Sequence, residues 1–310
     1  MIAIDWGTSN LRASLLDTDG SEIELRSARG GVMSIKDGQF ADALASLCGD
    51  WMVQLHCPMI ASGMIGSRQG WKEAPYIGCP ATVGQAAAAL VGIDFSFTGA
   101  TAAKHTLHIV PGLQCLDDGQ EFDVMRGEET QIWGAGVPAN SGCVLPGTHS
   151  KWAWTGEDGE VKTFRTYLTG ELYALLTQHG ILGRLMEFGD SGGIRDIDAY
   201  TKGVHWGLQG HAQVTHAIFA ARTAGLMGRI APRGLPDYLS GILIGAEIAS
   251  AARLMAGTHS VTLIGDDDLC ERYRVALSIH GLSSTRAPAG STTQGQWTVA
   301  RKAGLVPSTP

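Results

Sequence analysis

The same order of local signals occurs twice in this chain, and it restricts the fold more than any single motif does. Met1–Asp5 is an apolar run that stops at a Gly-Thr-Ser turn, and Leu11–Asp17 resumes as a second strand. The turn Asp17–Gly20 (DTDG) then leads into a third strand, Glu22–Arg29. Phe40–Met52 carries apolar residues at helical spacing, and Met59–Ser62 reads as a buried strand feeding a glycine-punctuated loop, Gly63–Pro80. The order restarts at Gly142–Leu145, which ends in Pro-Gly-Thr. Ser150–Trp154, the turn Gly156–Gly159 (GEDG) and Val161–Thr166 follow, and Thr169–Gln178 begins a helix with Thr169 as its N-cap. Architecture is duplicated here without duplication of sequence. Hairpin-linked strands followed by strand–helix alternation predict a mixed sheet with helices on its faces in each half. Further along, Leu239–Ala252 and Leu269–His280 read as helices flanking the strand Ser260–Ile264.

With 310 residues the chain is long enough for two such α/β lobes, residues 1–137 and 138–310. The hinge falls near Val137–Ser141, and a C-terminal helix, Gln296–Leu305, is expected to fold back onto the first lobe. Glycine is about twice as common as usual, at 42 residues, with no Gly-X-Y period. That excess is expected in turns and in loops where the backbone approaches a ligand. A net charge of −7 with no Lys/Arg-rich run excludes a nucleic-acid-binding surface. The chain opens directly into MIAIDWG, without a basic leader, and its apolar stretches are short or interrupted by Gly and Glu. The six cysteines are scattered without CxxC spacing and read as reduced structural thiols. The expectation is a cytoplasmic enzyme with no membrane partner; a homo-oligomer is compatible with the sequence.

Phosphoryl transfer needs backbone amides around nucleotide phosphates, a carboxylate that places a divalent cation, and a base aimed at the acceptor hydroxyl. Two Gly-Thr turns at equivalent places supply the first: Gly7-Thr8-Ser9 and Gly147-Thr148. Asp5, at a strand end beside the first turn, is placed to hold Mg²⁺ through water. Neither GxxxxGK[ST] nor a GxGxxG after a strand occurs, so P-loop and dinucleotide-binding readings fall away. Gly189–Gly193 (GDSGG) spells a trypsin-like nucleophile signature, but no disulfide framework or all-β alternation accompanies it.

IDWGTSNLR (Ile4–Arg12), RGEETQ (Arg126–Gln131), VLPGTHSKW (Val144–Trp152) and the strand end Leu263-Ile264-Gly265 resemble, in order, the motifs of the sugar kinase, heat-shock ATPase and actin superfamily. GMIGSRQGWKEAPY (Gly63–Tyr76), DVMRGEETQ (Asp123–Gln131), LPGTHSKWAW and LPDYLSGILIGAEI (Leu235–Ile248) are similar to the 2-dehydro-3-deoxygalactonokinase family. The resemblance covers nearly the whole chain. It implies two ribonuclease-H-like α/β lobes, mixed sheets flanked by helices, with an ATP cleft between them.

It also implies ATP and Mg²⁺ as cofactors and transfer of the γ-phosphate to the terminal (6-) hydroxyl of 2-dehydro-3-deoxy-D-galactonate, a step of galactonate catabolism. A kinase of another sugar acid or ketose, or a non-catalytic sugar sensor, is the alternative. Glu128 matches the position of the catalytic base, with Glu129 and Asp123 as alternatives. Gly265 would lie at the adenosine. A carboxylate-bearing substrate needs a local cation, because ATP and the protein are both negative. Arg68, Arg126 and Arg12 are the candidates, with Trp71 and Tyr76 as walls for the sugar chain.

Overall fold

The structure is a computed structural model that describes residues 1–98, 104–116, 122–189, 192–253 and 258–307. These fall into two compact units. Unit 1 holds residues up to Ala139, the segment Gly156–Thr163 and the C-terminal part from Pro288; unit 2 holds Asn140–Thr155 and Phe164–Ala287.

Unit 1 starts with strands β1 (Ile2–Trp6), β2 (Asn10–Leu16) and β3 (Glu22–Arg29), helix α1 (Phe40–Leu55) and strand β4 (Met59–Ser62). Strand β5 (Tyr76–Gly78), helix α2 (Val83–Ala88), strands β6 (Val91–Phe95), β7 (His105–Ile109), β8 (Gly112–Leu116) and β9 (Phe122–Met125), and helix α3 (Glu128–Gly134) follow. Six strands form one sheet in the order β3-β2-β1-β4-β7-β6, and β5-β8-β9 form a small second sheet. β1 pairs antiparallel with β2 and parallel with β4, so Asp5 lies opposite Arg12 on one side and Ser62 on the other. The core is built on the alternation of β1 and β2: Ile2, Ile4, Trp6, Leu11 and Ala13 are buried against α1. Trp6 meets Phe40 edge-on at 5.6 Å, which fixes the strand end from which the Gly7–Ser9 turn departs.

Unit 2 contains β10 (Gly142–Leu145), β11 (Ser150–Thr155), β12 (Val161–Tyr167) from Phe164 onward, α4 (Thr169–Gln178), α5 (Ile197–Gly210), α6 (Val214–Ala217) and α7 (Ala220–Leu226). It continues with α8 (Leu235–Ala251), β13 (Ser260–Leu263), α9 (Asp267–His280) and β14 (Ser283–Arg286). Its sheet runs β12-β11-β10-β13-β14. Three hairpin-ordered strands with parallel strands added beyond the first is the pattern of unit 1 repeated, as the sequence predicts. The last helix, α10 (Ser291–Lys302), belongs to unit 1, where Trp297 and Val299 pack with Ala3 and Ile60.

Two expectations are corrected. Thr169 does not cap α4: Leu168 is the N-cap residue, and the Thr169 hydroxyl donates instead to the buried Glu247 carboxylate. The glycine excess is only partly in loops. Gly203 and Gly207 of α5 face Gly241 and Gly245 of α8, and a Cβ at Gly241 would lie 2.3 Å from the Tyr200 carbonyl oxygen. Close helix crossing, not ligand approach, uses those positions. All six cysteines are free, and no helix among the described residues is long and apolar enough to cross a membrane. Asp190 and Ser191 of the GDSGG segment lie outside the described residues.

Candidate active site

Three chain segments bring carboxylates together in unit 1. β1 delivers Asp5, whose side chain is one-third exposed and whose Oδ2 lies 3.7 Å from Arg12 Nη1 across the β1–β2 register. Gly63, just after β4, has φ 94°, and a Cβ there would come 2.9 Å from the Trp6 carbonyl and 3.6 Å from Asp5 Oδ1. Gly127, before α3, has φ 106°, and its Cβ would lie 3.2 Å from Gly63 Cα. Only glycine takes these backbone angles freely, so this pair sets how closely the start of α3 approaches Asp5.

Glu128 and Glu129 open α3 and have different surroundings. Glu128 is half-buried and accepts the Arg126 amide at 3.0 Å. Glu129 is 0% exposed and accepts the Gly127 amide with both oxygens, at 2.8 and 2.7 Å. Burial pushes the Glu129 carboxyl up to about 8, and the Glu128 charge adds to it. Asp5 is likewise raised, first by burial, against the lowering influence of Arg12, with the Glu128 charge raising it further. Glu128 is therefore the acid that shares a partly open face with Asp5, and Glu129 lies beneath it. Asp123 is on β9, where its Oδ1 accepts the Val124 amide.

The turn Gly7-Thr8-Ser9 is latched from behind by the segment after β3, with Gly31 N donating to Ser9 O at 3.1 Å and Val32 N to Gly7 O at 3.0 Å. Gly31 is packed so closely that a Cβ there would fall 2.2 Å from the Thr8 carbonyl. The hydroxyl-bearing Thr8 and Ser9 are left exposed.

The three arginines separate sharply. Arg68 is 86% exposed and pairs with Glu73 at 3.2 Å. Arg12 is occupied with Asp5. Arg126 is only 9% exposed, stacked 4.3 Å over the Tyr76 ring, and donates through Nη2 to Ala74 O at 2.8 Å. Its Nε and Nη1, and the buried Ser67 Oγ, have no hydrogen-bond partner among the described residues. Tyr76 is at the surface, whereas Trp71 packs in the aromatic cluster, stacked on Phe40 at 5.8 Å and edge-on to Phe95 at 4.9 Å.

In unit 2 the turn Gly147-Thr148 rests on the start of α4. A Cβ at Gly170 would stand 2.4 Å from Gly147 O, and Glu171 N donates to Thr148 O at 2.9 Å. His149 Nε2 meets Glu171 Oε2 at 2.5 Å. Gly265, with φ 146°, lies beside Pro146, and the acids after it have a local purpose: Asp266 caps α9 by accepting Leu269 N at 3.2 Å.

Next to this turn lies a cavity of about 280 Å³, bordered by Gly147, Gly170, Tyr173, Gly193, Leu243 and Tyr273. Its wall is fixed by the buried Asp237, which accepts Arg195 N and Asp196 N at 2.9 and 2.8 Å and pairs with Arg272 at 2.8 Å. Arg272 also donates to Gly193 O at 2.9 Å. Sequence reasoning missed Asp237, Arg272 and Glu247. The available signal for the two acids was α8 itself, whose only charged residues are Asp237 and Glu247 among mostly buried small and apolar ones, since a carboxylate in such a helix must have dedicated partners.

Two sheets of the same strand order, each with a Gly-Thr turn after its first strand, and a carboxylate pair beside one turn define an actin-like ATPase-type α/β protein of the sugar kinase class. The family model described as 2-keto-3-deoxy-galactonokinase matches residues 5–299, and the chain belongs to that family. It is 36% identical to the 2-dehydro-3-deoxygalactonokinase of Escherichia coli (strain K12) over 294 residues, 94% of this chain and 93% of that protein. A crystal structure of a candidate 2-dehydro-3-deoxygalactonokinase from Sinorhizobium meliloti is similar at TM-score 0.85 and 33% identity, covering 97% of this chain and 98% of that one. At 10% identity and TM-score 0.51, an activator of a 2-hydroxyisocaproyl-CoA dehydratase from Clostridium difficile, solved with ADPNP, shares the fold over 98% of this chain and 96% of its own.

Proposed function

We propose that this chain transfers the γ-phosphate of ATP to the 6-hydroxyl of 2-dehydro-3-deoxy-D-galactonate and does so in the cytoplasm, with Glu128 as base. The observation that carries the reading is the approach of Glu128 to Asp5 through the Gly63–Gly127 contact, beside the Gly7–Ser9 turn. An acid raised by burial and by a second carboxylate on a partly open face fits a divalent cation. Among the described residues no group of three His, Cys, Asp or Glu side chains could hold a metal by itself. That suits an ion held by Asp5 through water and by the nucleotide. Mg²⁺ there would neutralise phosphate charge.

The chain's own residues divide the remaining work. Amides and hydroxyls of Gly7, Thr8 and Ser9 in unit 1, and of Gly147 and Thr148 in unit 2, hold phosphate oxygens. The cavity beside Gly147, with Gly265 nearby, takes the adenosine. Arg126, held flat by Tyr76 and aided by Ser67, meets the substrate carboxylate; its unpartnered Nε and Nη1 are the reason to prefer it over Arg68 and Arg12. Trp71 acts through packing. Glu128 accepts the hydroxyl proton as the oxygen attacks phosphorus, which requires the ionised form. In Glu128→Gln, kcat is expected to fall about 10²–10⁴-fold with the ATP dissociation constant nearly unchanged. Wild-type kcat in this variant would remove Glu128 from the mechanism.

A further inference from the structure

α10 is the last helix of the chain, yet it reaches the three segments that carry the unit 1 site. It lies hard against α3: a Cβ at Gly295 would fall 1.8 Å from Thr130 O, and one at Gly134 would fall 1.8 Å from Ser291 O. This contact drives the next residue, Gln296, into the interior, where it is 0% exposed. Gln296 Nε2 donates to Ile4 O at 2.6 Å, 292 residues earlier, and to Ser62 Oγ at 2.8 Å. Ser62 Oγ is 3.3 Å from Thr130 Oγ1, which in turn donates to Gly127 O at 2.6 Å. Thr130 Oγ1 is the donor in both of its contacts, sharing its one proton between Gly127 O and, at the longer distance, Ser62 Oγ, which also accepts from Gln296. The result is a connected chain that meets at Ser62: Gln296 donates to Ile4 O and Ser62 Oγ, and Thr130 donates to Ser62 Oγ and Gly127 O.

Each anchor of this chain, two backbone carbonyls and the Ser62 hydroxyl, belongs to a residue that directly precedes one of the site. Ile4 precedes Asp5, Ser62 precedes Gly63, and Gly127 precedes Glu128. Gln296 Oε1 is buried without a partner among the described residues, an unfavourable arrangement that an apolar side chain of the same size would avoid. An amide at this place is explained by what its NH₂ group ties together. We infer that Gln296 is a positioning residue that sets the separation of Asp5 and Glu128 through Ser62 and Thr130; the inference rests on the reading of those two acids as the reacting pair.

The test is a kinetic cycle with Gln296→Met, Ser62→Ala, Glu128→Gln and the double variant Gln296→Met/Glu128→Gln, measured with ATP and 2-dehydro-3-deoxy-D-galactonate. Misplacement by a fraction of an ångström to one ångström lowers kcat by about 10–100-fold, and the KM for ATP is expected to stay within about 3-fold. Because Gln296 acts through Glu128, adding Gln296→Met to Glu128→Gln is expected to lower kcat by less than about 3-fold more. Ser62→Ala breaks the same chain without touching α10, and it is expected to reproduce the kcat loss even if Gln296→Met does not fold. Equal losses from Gln296→Met in both backgrounds, or wild-type kcat in Gln296→Met or Ser62→Ala, would overturn the inference. Wild-type kcat in Glu128→Gln would instead remove the reading beneath it.

Discussion

Glu129 gives the folding energy of unit 1 a pH dependence that can be worked from its surroundings. The carboxyl is fully buried, beside Glu128, with the Gly127 amide and its own as backbone donors, and it is pushed up to about 8 from an ordinary 4.5. Below pH 4.5 both folded and unfolded chains hold this proton, and the group adds no slope. Between 4.5 and 8 the unfolded chain releases it while the folded chain retains it. Folding therefore binds more protons, and the unfolding free energy falls as pH rises until it levels off above 8. An interval of about 3.5 pH units at about 1.4 kcal/mol per unit bounds the effect at roughly 5 kcal/mol.

Glu129→Gln is neutral at every pH and removes this slope; the new amide adds an offset that does not vary with pH. Urea unfolding of both proteins from pH 5 to 9, followed by tryptophan fluorescence, measures the difference between them. Other acids with raised values, Asp5 and Glu247 among them, act in both chains and cancel. The variant is expected to gain at least about 2 kcal/mol relative to wild type across that range. Parallel curves would refute the reasoning, because they would mean that Glu129 is already ionised near pH 5 at no energetic cost.

Arg126→Met is expected to raise the KM for the sugar acid about 10–100-fold, as lost charge-assisted hydrogen bonds imply, while Arg68→Met leaves it within about 2-fold; initial rates at varied substrate decide. Gly170→Ala would press a methyl group against Gly147 O, so a KM for ATP raised at least about 10-fold is expected, with about 1–3 kcal/mol of lost stability. Glu247→Leu would orphan Trp152 Nε1 and Thr169 Oγ1, while Tyr273 OH keeps Ser150 Oγ as a partner. At about 1–3 kcal/mol for each orphaned donor, thermal unfolding is expected to shift down by at least about 4 °C.

Local patterns made much of the fold legible. The alternation of β1 and β2, the acidic-Gly hairpins and the Gly-Thr turns place β1–β4 of unit 1 and β10–β13 of unit 2 within a residue of their observed ends, because short-range sterics and burial set them, whereas β5–β9 and β14 were not legible as strands. The motif spelling RGEETQ pointed to the α3 start, but which of its acids faces outward depends on how α3 packs on α10 and β4, and no local signal carries that. The same holds for the arginines. Arg68 and Arg126 look alike in sequence; only the placement of Tyr76 and Ala74 separates a surface pair from a buried, stacked guanidinium. Thr169 resembles an N-cap until Glu247, on another helix, is seen to take its hydroxyl. Gln296 could not be singled out from a polar helix, since its partners lie at the far end of the chain.

The most direct measurement is ADP release from Mg-ATP by the purified protein with 2-dehydro-3-deoxy-D-galactonate, its gluconate epimer and a neutral ketose, with the product's phosphorus–proton couplings read by NMR. The expected result is fast turnover of the galactonate compound, at least about 10-fold above either alternative in kcat/KM, and phosphate on the 6-hydroxyl. Preferential turnover of the neutral ketose would contradict the carboxylate role of Arg126 and the substrate assignment together. ATP binding without turnover of any acceptor would contradict the kinase reading itself.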